Sequence, residues 1–362
     1  MSPKRSKIVL VSTPVGYLGS GLGGGVEITL FSILKGLSLR GHEITLIAPE
    51  GSELPSGFKI SKIKLLPGVY QKSWQHQNHS DPAEIPVDGV LQKLWKNVIS
   101  EHGKSSDAIL NFGYDWLPIW ISQFLDLKIY HLISMGNESA LIKNLVQELS
   151  NSNPHQFAFH SKRQANDYKL NIDPIIVGNG FEINNYKFQS ESQGRIGWAG
   201  RIAPEKGLED AAEVANSIGE ELYVWGILED INYLDSLRNK YPNTINYRGF
   251  LTTSKFQNEL GKCRTLLNTP KWNEAYGNVV VESMACGVPV IAYDRGGPGE
   301  LIKDGETGFI ISPDNINEMK IAISKVDKIN RRNCREWFEN NASMESFTNR
   351  IENWILKKKL TN

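Results

Sequence analysis

Residues 269–297, TPKWNEAYGNVVVESMACGVPVIAYDRGG, decide the reading of this chain. Asn278 followed by VVVESMA reads as a cap and the first turns of a helix, which Gly287-Val288-Pro289 ends. The run VPVIAYD after it reads as a buried strand. Glu274 then falls on the loop before the helix, and Glu282 inside it, about one turn in. Both carboxylates can face one crevice, on either side of the backbone N–H groups that open the helix. Those N–H groups and the helix dipole make an anion site. A phosphate flanked by carboxylates that accept from hydroxyls is what holding a sugar nucleotide requires.

Outward from that stretch, short apolar runs alternate with amphipathic segments. KIVLVS, VEITLFSILKGLSLRG and HEITLIAPE read as strand, helix with Gly41 as its stop, and strand. DAILNF, LKIYHLI, QFAFHS and PIIVGNG continue as strands. The polar stretch NNYKFQSESQGR reads as an interdomain linker over 183–194. A second set follows: RIGWAGR, ELYVWG, INYRGF, RTLLNTP, VPVIAYD and GFIISP, each separated by a helical segment. The fold class is therefore α/β, with two Rossmann-like, doubly wound parallel-sheet domains facing across a cleft. Residues 71–88, polar and rich in His and Asn, predict a lid or a surface loop, and His76 and His79 lack a third metal ligand nearby.

Composition excludes several classes. Length 362 suits about two domains. Forty Lys plus Arg balance forty Asp plus Glu, so no net field draws the chain to nucleic acid. Three cysteines without a C-x-x-C pair suggest no disulfide framework, which predicts a cytoplasmic protein. No apolar run approaches the roughly 18 residues needed to span a bilayer, and the first residues are too short in apolar character for a signal peptide. Oligomeric state is not readable.

Two further constellations carry chemistry. The glycine loop from Gly19 to Gly25 follows the first strand and lets backbone N–H groups approach a ligand. Gly19, Gly21 and Gly24 also fit G-x-G-x-x-G, with Glu50 ending the next strand, so an NAD-binding oxidoreductase is a rival reading. Residues 13–19 separate strand from glycines, where a dinucleotide loop turns at once. Arg201 and Lys206 flank a Pro-containing turn after RIGWAG, an arrangement that suits a diphosphate, although a plain surface turn carries such charges too.

Glu274, Glu282, Gly296-Gly297 with Glu300, and GRIAPEKG at 200–207 resemble the retaining family-4 glycosyltransferases of the GT-B fold, along almost the whole chain. STPVGYLGSGLGGGVE, ILNFGYDWLP, HLISMGN and WAGRIAPEKGLEDA are similar to cyanobacterial UDP-glucose:tetrahydrobiopterin glucosyltransferases. The resemblance implies an N-terminal acceptor-binding domain of residues 1–182 plus 343–362, the last helix crossing back onto it. It implies a nucleotide-sugar domain of residues 195–342. Glu274, Arg201 and Lys206 are implied as catalytic. Gly24, Gly25, Gly200, Gly226, Phe250, Leu251, Ala275, Tyr276, Gly277, Asn278, Val279 and Glu282 are implied as donor-binding, with Glu282 at the ribose hydroxyls. No metal and no cofactor is expected; UDP-glucose is a substrate, and the departing phosphate takes the acceptor's proton in a front-face displacement.

The acceptor side is expected around Gly19, Tyr114, Asp115, Trp116, His131, Ser134 and His160. A reduced pterin needs an aromatic face and a carboxylate, which Tyr114, Trp116 and Asp115 could supply; the same residues also read as core and helix cap. Family members often end the strand here reading IYHLIS with a His, but Ser134 holds that place and His131 lies inside the strand. His131 and His160 are each read as ligand contact or packed histidine. Trp225 reads as base contact or core. Alternatives to glucosyl transfer to a pterin are another UDP- or ADP-glucose-dependent transfer to a sugar or polyol, a nucleotide-sugar epimerase, and the oxidoreductase.

Overall fold

A computed structural model of the chain describes residues 5–20, 25–55, 57–72, 86–136 and 139–356. It divides into two compact units, Met1–Phe181 with Met344–Asn362, and Glu182–Ser343. The first unit holds strands β1 (Lys7–Val11), β2 (Glu43–Pro49), β3 (Lys62–Leu66), β4 (Ala108–Asn111), β5 (Ile129–Ile133), β6 (Phe157–Phe159) and β7 (Ile175–Ile176). They form one sheet in the order β3-β2-β1-β4-β5-β6-β7, every described pair parallel. Its helices are α1 (Gly25–Leu39), α2 (Val90–Asn97), α3 (Trp116–Ser122), α4 (Ala140–Ser152) and α5 (Lys162–Asp167).

Strand alternation explains why both faces are covered. Successive side chains of a strand point to opposite faces. Ile8 and Leu10 of β1 enter one core with Leu30, Ile33 and Leu37 of α1, while Val9 and Val11 enter another with Leu91, Leu94 and Trp95 of α2. The apolar run Ile8–Val11 of β1 is the signature of a strand buried on two sides. β3, KIKLL, escaped the sequence reading: it lies at the sheet edge, where Lys62 and Lys64 alternate with part-exposed Ile63 and Leu65.

The second unit holds β8 (Arg195–Ala199), β9 (Leu222–Trp225), β10 (Ile245–Tyr247), β11 (Cys263–Asn268), β12 (Val290–Tyr293) and β13 (Gly308–Ile311). Their order is β10-β9-β8-β11-β12-β13, again parallel throughout. Helices α6 (Leu208–Ser217), α7 (Ile231–Lys240), α8 (Thr253–Leu260), α9 (Asn278–Ala285), α10 (Pro298–Leu301), α11 (Ile316–Lys325) and α12 (Arg331–Asn341) belong to it. Cys263, Cys286 and Cys334 are buried free thiols there.

The last helix, α13 (Met344–Leu356), joins the first unit. Phe347, Ile351, Trp354 and Ile355 enter the α1 core. Gly36 permits that approach, since a Cβ there would sit 1.9 Å from Thr348 Oγ1. Residues 183–194, read as the linker, group with the second unit. Gln189 N–H donates to Cys286 O (3.1 Å) and Gln193 N–H to Lys262 O (2.8 Å).

Candidate functional site

In a doubly wound sheet, ligands bind at the carboxyl ends of the strands where the strand order reverses. In the second unit that point lies between β8 and β11, since the chain runs outward to β9 and β10 on one side and to β12 and β13 on the other. The segments leaving those strand ends contain Gly200, Arg201 and Lys206 after β8, Gly226 after β9, Glu274 after β11, and Gly296-Gly297 after β12. Sequence-distant residues singled out above thus meet at one sheet edge.

Backbone geometry ties these segments together. Gly226 has φ +148°, and a Cβ there would lie 1.7 Å from Gly200 O. Gly297 N–H donates to Glu274 O (2.7 Å), and a Cβ on Gly296 would lie 2.3 Å from the same oxygen. Only glycines allow the 296–297 turn to press against the Glu274 loop. The cap of α9 differs from expectation: Gly277, at φ 103°, is the N-cap, and Asn278 is the first helical residue. The left-handed turn required there suits glycine, so Asn278 moves inside. Glu282 accordingly lies in the second turn. The first N–H groups of a helix have no intrahelical acceptor, which keeps this end an anion site in principle. Around it Tyr276 is buried, and Ala275, Asn278 and Val279 are half-buried.

The cations are already paired. Lys206, on a 3-10 turn at Pro204–Lys206, forms an ion pair with Glu274 Oε1, and its ammonium lies 4.8 Å from the Trp272 ring centroid. Arg201 binds Glu205 Oε1 at 2.7 Å and also binds Glu229. Glu205 and Glu229 were not foreseen; the i, i+4 spacing of Arg201 and Glu205 was the available signal. Side-chain exposure is 26 % for Arg201, 35 % for Glu205 and 36 % for Glu229. Pairs this close to solvent hold weakly and can exchange for a competing anion.

Glu282 is held differently. Tyr186 O–H donates to its Oε1 at 3.0 Å. Burial pushes the carboxyl up to about 7, against the lowering effect of that hydrogen bond. Tyr186 was also missed, because it lies in the polar stretch read as linker. Of the expected base slot, Phe250 is 66 % exposed, while Leu251 is half-buried. Trp225 is core: it is buried and stacks on Tyr223, with centroids 6.2 Å apart.

The first unit reverses its strand order between β1 and β4, and its candidate residues other than His131 also follow strand ends. Gly19, at φ +94°, donates its N–H to Glu27 Oε2 of α1 at 2.8 Å. Gly24 lies outside the described residues, and Gly25 begins α1. Tyr114 is buried, its hydroxyl donating to Gly136 O at 3.0 Å and accepting from Tyr168 O–H at 3.0 Å. Asp115 is buried and caps α3, accepting from Leu117 N–H at 3.1 Å. Their side chains serve the fold at these contacts, the core-and-cap reading of this pair. Half-buried Trp116 packs on the core beneath α3 and on Trp120.

His131 lies inside β5, stacked on Phe157 at 5.2 Å, and Asn111 Nδ2 donates to its Nδ1 at 3.1 Å. Burial lowers it to about 3, so it is a neutral core histidine. His160 follows β6; its Nδ1 lies 2.7 Å from Gly178 O and its Nε2 3.4 Å from half-buried Ser134 Oγ. Burial lowers it to about 4, opposed by the Gly178 contact. Those two residues, far apart in sequence, are brought together. Among the described residues no group of three or more His, Cys, Asp or Glu is placed to hold a metal ion, and no helix is long and apolar enough to cross a membrane. His76 and His79 lie outside the described residues.

Residues 181–344 match the model of the family Glycosyl transferases group 1. The chain is 25% identical over 259 residues to an uncharacterized glycosyltransferase of Methanocaldococcus jannaschii, covering 67% of this chain and 71% of that one. It is 35% identical over 103 residues to sucrose synthase 5 of Oryza sativa subsp. japonica, covering 27% of this chain but only 12% of that protein. Among solved structures, HepE of Anabaena, in complex with UDP and glucose, superposes with a TM-score of 0.72 at 16% identity, covering 98% of this chain and 100% of that one. Sucrose-phosphate synthase from Thermosynechococcus elongatus does so with a TM-score of 0.74 at 16% identity, covering 96% and 97%. The fold is GT-B. The match to the glycosyltransferase group 1 model spans the second unit.

Proposed function

We propose that this enzyme transfers glucose from UDP-glucose to a hydroxyl of a small acceptor, with retention at the anomeric carbon. The observation that carries the donor half is the Lys206–Glu274 pair beside Arg201 at the switch point of the second sheet. In the reaction the bond from the anomeric carbon to the phosphate oxygen breaks and a bond to the acceptor oxygen forms. The acceptor's proton passes to the departing phosphate. Negative charge grows on that phosphate, where Arg201, Lys206 and the start of α9 stabilise it. Glu274 accepts from a sugar hydroxyl, and Glu282 from the ribose. No step calls for a metal or a cofactor, and the proposed location is cytoplasmic.

The acceptor is proposed to be a reduced pterin, tetrahydrobiopterin, glucosylated on its side chain. Its support is the similarity of the four segments quoted above; Tyr114 and Asp115 add nothing, being engaged within their own unit. Relatives named sucrose synthase make a sugar acceptor the second reading to test. Incubation of enzyme and UDP-glucose with tetrahydrobiopterin, sugars and glycerol, followed by mass spectrometry, is expected to give a hexose increment on the pterin. The increment appearing on a sugar and not on the pterin would replace the acceptor and keep the donor chemistry.

A further inference from the structure

Glu282 is half-buried and receives one hydrogen bond from the described residues, Tyr186 O–H to Oε1. A carboxylate has room for about four such bonds, so Oε2 is left as the acceptor for an incoming donor. Tyr186 itself is held on several sides. It is only 5% exposed, and its ring packs against Phe338 of α12 at 5.9 Å and 62°. Arg335 of α12 donates from Nη1 to Tyr186 O and to Ala285 O, both at 2.7 Å. Ala285 ends the helix that carries Glu282, so one guanidinium ties the Tyr186 backbone and the end of the carboxylate's helix into a common frame, while Phe338 holds the phenol ring. Such restraint limits the rotamers of both side chains, and preorganisation of this kind lowers the ordering cost of binding.

We infer that Tyr186 is a positioning residue for nucleotide recognition: it pins Glu282 by one oxygen so that the other meets the donor's ribose hydroxyls. The inference rests on the proposed placing of Glu282 at the ribose. Without the phenol hydroxyl, the carboxylate can rotate and a ribose diol must order it on binding.

The test is calorimetric titration of UDP and 2′,3′-dideoxy-UDP into the full chain, wild type, Tyr186→Phe, Glu282→Ala and the double variant. Tyr186→Phe is expected to weaken UDP about five- to tenfold, the worth of one net hydrogen bond, and the dideoxy nucleotide less than about twofold. In turnover the loss falls on donor KM rather than kcat. On the Glu282→Ala background, Tyr186→Phe adds no further loss. Equal weakening of both nucleotides, or a loss that persists in the double variant, overturns the role of Tyr186 and leaves the ribose reading intact. Wild type binding both nucleotides equally overturns the ribose reading and Tyr186's role with it.

Discussion

The carboxyl edges of the two sheets carry similar residue types in opposite states. At the second sheet, Arg201, Glu205 and Glu229 are ionisable groups paired near solvent, and Lys206 pairs with Glu274 at 20 % and 12 % side-chain exposure. At the first, Asp115 is spent on a helix cap, Tyr114 on a carbonyl, and His131 and His160 are buried and neutral near pH 7. Exposed pairs trade partners at little cost, whereas a buried group that loses its partner is penalised in full. On the proposed function, the second edge exchanges its solvent-facing counter-ions for a charged ligand. The first is built to keep its groups where they are.

The sharpest way to break that comparison is to remove the cations. Arg201→Ala and Lys206→Ala should each slow turnover about 10²–10³-fold, as for lost transition-state donors, without need of added magnesium. Activity that vanishes with a chelator and returns with a divalent ion would contradict the cation account.

Glu282 gives the next largest effect and a defined pH signature. Its folded-state value of about 7 lies above that of an unfolded glutamate, so the folded state binds the extra proton between roughly pH 4.5 and 7. Stability from this group is thus present below that window and falls as pH rises through it. Glu282→Gln should raise unfolding free energy at pH 8 by about 1–3 kcal/mol, with little change at pH 4.5, while weakening UDP. Chemical denaturation of both proteins at the two pH values checks this; identical shifts at both would break it.

The histidines have the opposite sign. His131 and His160 sit at about 3 and about 4, below the unfolded histidine value. Their stabilisation is complete above pH 6.5 and lost as pH falls toward those values. His131→Gln or His160→Gln should flatten the loss of stability between pH 6.5 and 4.5. An unchanged acid limb would mean that neither is buried neutral.

Much of this was legible in the residues. Apolar β1, β4 and β12 announce strands covered on both faces, and the spacing of Glu274, Gly277 and Gly296 announces a tight loop at a helix start. Edge strand β3 was hidden because its alternating lysines look like a loop. Gly277 displaced Asn278 from the cap because only a left-handed residue fits the turn. Glu229, Glu205 and Tyr186 were hidden because their roles depend on which strand ends lie side by side. The same limit explains Asp115: a helix cap and a ligand carboxylate have the same local sequence. Asp115→Ala is accordingly expected to cost about 1 kcal/mol of stability, the smallest effect here, and to leave acceptor preference unchanged. A switch in acceptor with unchanged stability would return it to the ligand.

The central claim is that paired charges at the second sheet's edge hold a nucleotide sugar. Calorimetric titration of UDP-glucose into wild type and Glu274→Gln, with NAD as the rival ligand, tests it most directly. Saturable binding of UDP-glucose is expected, weakened about tenfold or more in Glu274→Gln by loss of a charge-assisted hydrogen bond, with no binding of NAD. Binding of NAD but not of UDP-glucose, or equal affinity of the two proteins for UDP-glucose, would contradict it.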